Sequence, residues 1–167
     1  MKNKFIAITI IVVSAASVAY AAFATNLTIN GTATATGNWD VSITGITPTA
    51  QVGAPDHVST PSFTTTTATF NVDLAYPGAT SSYNVAIKNN GNISAKLSSI
   101  TDLAAINAGA PTYITYAISG VAVNDVIAPG VTDTATITTT WDAAATTNPS
   151  GASKAATINF NYVQNTP

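Results

Sequence analysis

Asp56 and His57 form the one neighbouring acid–imidazole pair in this 167-residue chain, and His57 is its only histidine. An imidazole beside a carboxylate is the raw material of general base catalysis, because it changes charge near neutral pH. A reaction centre needs further groups converging on the same point. The chain has no H-E-x-x-H, no G-x-S-x-G and no phosphate-binding glycine loop, and it contains neither Cys nor Glu. Zinc takes three or four nitrogen, sulfur or oxygen ligands, and one His without Cys does not supply them. The seven acidic residues, all Asp, are scattered and never form the dense loop that calcium favours. The expected reading is therefore a solvated Asp56-His57 loop in a protein that is not an enzyme and holds no metal or cofactor.

Two other residue patterns carry chemistry. Asn26-Leu27-Thr28, Asn30-Gly31-Thr32 and Asn92-Ile93-Ser94 are N-glycosylation sequons, which makes Asn26, Asn30 and Asn92 candidate modification sites. Trp39, Trp141, Tyr83, Tyr116 and Tyr162 have the amphipathic rings of a sugar-binding platform, but at alternating strand positions they read as core.

These residues sit in a chain of 46% hydrophobic and 7% charged composition, with a formal charge of −2. The five basic residues are all Lys, and two of them, Lys2 and Lys4, precede an apolar run from Phe5 to Val18. Ala19-Tyr20-Ala21 follows as an A-x-A cleavage site. The pattern predicts a signal peptide over residues 1–21 with cleavage between Ala21 and Ala22. The alternative is an uncleaved pilin-type anchor, but Asn26-Leu27-Thr28-Ile29-Asn30-Gly31 is strand and turn chemistry where an anchor helix would continue. Removing two of five Lys leaves three against seven Asp, a charge of −4 on the exported protein. Three Lys and no Arg exclude nucleic acid as a partner, which needs clustered cations. Contact with a membrane is expected only during export.

The longest regular feature runs from Phe23 to Thr44. Phe23, Leu27, Ile29, Gly31, Ala33, Ala35, Gly37, Trp39, Val41 and Ile43 alternate with an almost wholly polar set. This period of two marks β-structure with one face buried. As one strand it would span roughly 70 Å at about 3.3 Å per residue. A compact domain of this length is only about 40 Å across. Either the stripe folds back near Gly31 or Gly37, or its first part leaves the domain and is buried elsewhere.

Beyond it the chain predicts a loop from Thr47 to Ser62, then a strand with Ala68, Phe70, Val72 and Leu74 facing inward. Tyr83-Val85-Ile87 and Ile93-Ala95-Leu97, separated by Asn89-Asn90-Gly91-Asn92, read as a hairpin. Asp102 or Thr101 caps a short helix through Leu103–Ile106, ended near Gly109. Further strands are expected at Tyr113–Ile118, around Val121–Val126, at Thr134–Trp141, and along Ala156, Ile158, Phe160 and Tyr162. About eight or nine short half-buried strands predict an all-β, antiparallel, jelly-roll-like β-sandwich.

The leader ending in Ala21-Ala22-Phe23, the Pro77-Gly78 turn opening Tyr83-x-Val85-x-Ile87-x-x-Asn90-Gly91, and the later Pro129-Gly130 strand together resemble the TasA/camelysin family of secreted biofilm matrix proteins and the related archaeal bundling pili. The likeness covers most of the chain in order, through short motifs. This chain is shorter and almost uncharged by comparison. The metalloprotease activity described for camelysin has no ligands here and is not carried over. The resemblance implies a secreted structural subunit of an extracellular fibre or pilus at the cell surface. Its partners would be copies of itself and other matrix or surface components. Polymerisation would be by donor-strand complementation, with one subunit's N-terminal strand completing the next subunit's sheet. It places a donor arm over residues 22–37 and the sandwich over residues 38–167. Phe23, Leu27, Ile29, Gly31, Ala33 and Ala35 become the interface, and Gly37 the hinge. The first strand of the sandwich would then run from about Asn38 to Thr44. A hairpin within one subunit accounts for the same parity. The alternative function is a monomeric secreted adhesin or carbohydrate-binding module.

The exported protein is expected to begin at Ala22, within two residues. Intact mass spectrometry of secreted material checks this, and a mass that includes residues 1–21 would point to an anchored protein instead.

Overall fold

The computed structural model describes residues 29–57, 60–146 and 153–165. The expected leader, the Ala21/Ala22 junction, and the arm positions Phe23, Asn26 and Leu27 lie outside the described residues. The chain divides into two units, Met1–Ala35 and Thr36–Pro167. In the first, Ile29–Ala35 is described, and all of it is exposed without regular structure.

The second unit is all-β and antiparallel. Among the described residues its elements run β1 (Val41–Val52), β2 (Ser62–Phe63), β3 (Ala68–Thr69), β4 (Thr80–Asn89), β5 (Ala95–Ile100), α1 (Leu103–Ala108), β6 (Ile114–Ser119), β7 (Val126–Ile127), β8 (Thr132–Trp141) and β9 (Phe160–Gln164). They form a four-stranded sheet in the order β1-β4-β8-β6, a three-stranded sheet β7-β5-β9, and the small pair β2-β3.

The two central strands carry the clearest alternation. Ser81, Tyr83, Val85, Ile87 and Asn89 of β4 are buried, and the residues between them are half-buried. Ala135, Ile137, Thr139 and Trp141 of β8 repeat the pattern. The register matches one set to the other, with Tyr83 opposite Ile137 and Val85 opposite Ala135. Ile46, Tyr83, Val85, Ile87, Ala135 and Ile137 from this sheet join Ala95 of β5 and Ile127 of β7 in a single core. The two larger sheets therefore share one apolar interior. Phe70 stacks on Tyr83 from the side, with ring centroids 4.7 Å apart.

The short helix forms where expected. Asp102 is its N-cap and accepts a hydrogen bond from Ala104 N at 2.9 Å, and Gly109 is its C-cap.

Several strand expectations need correction. The first strand starts at Val41, not Asn38, and continues through Pro48 to Val52 where a loop was expected. Pro48 is tolerated because β1 is an edge strand. Its register also shifts twice, at Ile43/Gly45 and Pro48/Ala50. The extra residues Thr44 and Thr49 turn their hydroxyls onto the carbonyls of Ala86 and Ser82. The strand expected along Ala68–Leu74 keeps its in–out parity, but only Ala68–Thr69 is strand. Likewise the last strand begins at Phe160, although Ala156 and Ile158 keep the parity. The region around Val121–Val126 contributes only Val126–Ile127. There Asp125 closes a turn by accepting from Ala122 N at 2.6 Å, and Asn124 takes a φ of 82°.

The largest correction concerns β4 and β5, which do not form a hairpin. They belong to different sheets. The reason lies in Asn89, which is fully buried. Its side-chain amide donates to the carbonyls of Ile93 at 2.8 Å and Ile127 at 3.0 Å, and its oxygen accepts from Gly91 N. An Asn so committed turns the chain across the core instead of back along β4.

Asn89→Ala removes both donors and leaves two carbonyls unpaired at a buried corner. Each is expected to cost about 1–3 kcal/mol. Asn89→Asp should cost more, because it sets a carboxylate against the same two carbonyl oxygens. Urea denaturation of the two variants checks the order, and an Asp variant as stable as the parent would contradict it.

Candidate functional site

The acid–imidazole pair separates in the fold. Asp56 is engaged by the Tyr83 hydroxyl and by Gln51 Nε2, the latter at 2.7 Å. His57 instead pairs with Asp73, Nδ1 to Oδ2 at 3.1 Å, with both side chains more than half exposed. Burial, with Asp56 beside it, pushes the Tyr83 phenol above its ordinary value. The cluster ties the segment around residues 53–57 to residues 71–75, where backbone bonds such as His57 N to Asn71 O complete the link. Among the described residues no three metal-ligating side chains converge. An exposed contact of this kind contributes little to stability.

A second cluster surrounds Asn92. Its Oδ1 accepts from Asn38 N at 2.7 Å and its Nδ2 donates to Thr36 O at 2.9 Å. Asn92 N donates to Asn38 O, and the amides of Asn90 and Gly91 donate to Asp40 O. The turn after β4 therefore grips the backbone from Thr36 to Asp40 much as a neighbouring strand would. Gly37, the expected hinge, lies inside this grip and against the Ile93 side chain. Asn30 and Asn92 are both exposed, and the amide nitrogen of the Asn92 sequon is one of the grip's donors. Upstream of the grip, Ile29, Gly31, Ala33 and Ala35 are all exposed, with Ile29 at 93%. Trp39 is also 38% exposed, against the expectation that it faces the core. Tyr83, Tyr116 and Trp141 are buried as expected.

The third feature is a groove of about 930 Å³. Its floor is the inner face of the four-stranded sheet, with Val41 and Ile43 from β1, Val85 and Ile87 from β4, Ile137 from β8 and Tyr116 from β6. One flank is Thr65–Asn71 and the other Ser153–Tyr162, with Trp39 at the rim. Both flanks are chain with incomplete pairing. Among the described residues, Ser153–Asn159 alternates exposed and half-buried positions like a strand, yet no strand pairs with it. β9, which follows, pairs only with β5. On the other side β3 pairs only with β2. Apolar floor, strand-like flanks and free backbone groups together have the shape of a missing strand.

The Ser153–Asn159 flank is tethered at both ends. Thr101 and Asn159 exchange hydrogen bonds at 2.8 and 3.1 Å. At the other end the Lys154 ammonium meets four backbone carbonyls, and the Lys154 carbonyl accepts from the Tyr116 hydroxyl. Burial raises the Tyr116 phenol, and burial with Asp133 and Asp125 pushes Tyr162 up to about 12. Both phenols therefore stay neutral.

The groove was not legible in the sequence. The one available signal was that the parity of residues 153–162 runs longer than the strand it belongs to. Among the described residues no helix is long and apolar enough to cross a membrane. Comparison with family models, curated proteins and solved structures finds no match to this chain.

Two glycines distinguish a rigid grip from a soft one. A Cβ on Gly91 would run into the Asn38 carbonyl and lie 2.9 Å from Asp40 N, both backbone atoms. A Cβ on Gly37 would meet only the tip of the Ile93 side chain, at 2.9 Å from Cδ1. Gly91→Ala is expected to destabilise by about 1–3 kcal/mol and Gly37→Ala by under about 1. Denaturant melts of both variants check this, and equal costs would mean that the grip yields.

Proposed function

We propose that this chain is a structural subunit of an extracellular fibre, polymerised by donor-strand complementation. The arm of one subunit, residues 22–36, enters the groove of the next and takes the place of the missing strand. The observation that carries this reading is a mismatch between pattern and burial. Ile29 to Ala35 has the parity of a half-buried strand and is wholly exposed, while the groove offers an apolar floor between strand-like flanks. Such a strand gains backbone hydrogen bonds along its edges and places alternate side chains on the floor. Large anchors such as Leu27 and Ile29 contribute about 1.5–3 kcal/mol each when fully buried. Gly31, with open space around its Cα in the free subunit, suits a point where donor and acceptor backbones pass closely. On this reading the two sheets are an incomplete jelly-roll-like sandwich. The pivot lies before Thr36 and not at Gly37, because Asn92 holds the chain on either side of that glycine.

A second reading is supported by Trp39, half-exposed at the groove's rim. A monomeric adhesin could stack a sugar ring there. The fibre reading accounts in addition for the exposed stripe, and is preferred for that reason.

Ile29→Asp combined with Leu27→Asp is expected to abolish fibres in negative-stain micrographs and leave folded subunits. In the assembled state each change would bury an unpaired charge, whereas Ile29 is exposed in the free subunit. Thr28→Asp, on the polar side of the stripe, should polymerise. Normal fibres from the double variant would overturn the donor-strand reading. An oligosaccharide-binding monomer silenced by Trp39→Ala would establish the adhesin.

A further inference from the structure

Lys154 begins the groove's unpaired flank, and Ala156 and Ile158 follow on the same half-buried face. Its Nζ lies 3.0 Å from the carbonyl oxygen of Asn107, 2.8 Å from Gly109, 3.1 Å from Pro111 and 2.8 Å from Ile114. An ammonium has three N–H donors, so this cage uses all of them. The Asn107 and Gly109 carbonyls lie at the C-terminal end of α1, where free carbonyls and the helix dipole both favour a cation. Burial lowers the ammonium's affinity for its proton, and the four carbonyls oppose that by stabilising the charged form.

The mechanical consequence follows from what the flank lacks. Between the Thr101–Asn159 bonds and Lys154, no strand among the described residues pairs with it. Val85, Ile87 and Ile137 line the groove's floor. Those three residues are buried, and Ile158 already packs against the core they belong to, so the flank is seated by its inner face and fixed along the sheet only through its ends. With no strand pairing between those ends, the position of the flank, and with it the width of the groove it lines, depends on what holds the ends.

We infer that Lys154 is the positioning residue of the groove, its ammonium bolting the Ser153–Asn159 flank to the α1–β6 corner and so fixing the width of the acceptor site for the incoming arm. The inference rests on the donor-strand reading above. Lys154 does not touch the arm in the mechanism; it acts through the flank.

The test uses the full exported chain carrying Leu27→Asp and Ile29→Asp, which cannot donate but keeps its groove, and a free peptide of residues 22–36. Titration calorimetry gives the peptide's Kd, and thermal melts report stability separately. Lys154→Met keeps the stem and removes the charge and donors. It is expected to raise Kd by roughly tenfold or more at a temperature where both proteins are fully folded. The chain has no cysteine, so Lys154→Cys gives a single thiol. Aminoethylation restores an ammonium at nearly the lysine position and is expected to recover most of the affinity. Neutral methylthiolation of the same thiol should not. A merely structural role would lower the melting temperature without this charge-dependent recovery. An unchanged Kd in Lys154→Met, or equal recovery by both reagents, overturns the inference alone. No peptide binding by the Lys154 parent overturns the donor-strand reading, and this inference with it.

Discussion

A strand must be satisfied in two directions at once. Its backbone groups need partners sideways along the sheet, and its alternate side chains need cover above or below. Within Thr36–Pro167 the β1-β4-β8-β6 sheet meets both needs at β4 and β8, which are central and face the shared core. The layer opposite is narrower. The three-stranded sheet covers part of the floor, and the β2-β3 pair with its following residues approaches from the other side. Between them runs the groove, lined by the buried Val85, Ile87 and Ile137 and by the half-buried Val41 and Ile43. One incomplete layer therefore produces both features on which the functional reading depends, a groove along the inner face of the sheet and flanks with incomplete pairing. A strand from elsewhere resolves both together, which a loop or a small ligand would not.

With so little charge, the protein uses amides and hydroxyls where others use ion pairs. Three asparagines stand in for strand neighbours at places where sheet pairing stops. Asn89 bridges the two sheets at a buried corner. Asn92 holds Thr36 and Asn38. Asn107 exchanges two hydrogen bonds with the backbone of Tyr116, at 2.8 and 2.9 Å. An amide side chain presents one acceptor and two donors, much like a peptide unit, so it can replace a missing peptide. Across the four-stranded sheet, Ser82 meets Thr138 at 2.9 Å and Thr136 donates to Asn84 at 2.8 Å. These cross-strand contacts support the sheet without the salt sensitivity of charged pairs. Lys154 is the exception that fits the rule, because among the described residues its charge is met by backbone carbonyls and by no carboxylate.

Residue order by itself determined the all-β class, a short helix capped at Thr101 or Asp102, and which face of β4 and β8 turns inward, and the structure selects Asp102. Each follows from local periodicity or from a cap whose partner is two residues away. It also marked Phe23–Thr44 as a stripe too long to be one strand of its own domain. Local pattern could not decide partners. Asn89-Asn90-Gly91-Asn92 has hairpin chemistry, yet β4 and β5 part because the Asn89 amide is drawn to Ile127, 38 residues later. Pro48 reads as a break, yet it lies in an edge strand where its missing N–H costs nothing in the ladder. Asp56 and His57 are sequence neighbours, yet they take separate partners because successive residues of an extended chain point to opposite sides. The groove and the carbonyl cage around Lys154 join segments about forty or more residues apart. No window of sequence contains both sides of such a contact, and only the tertiary fold brings them together.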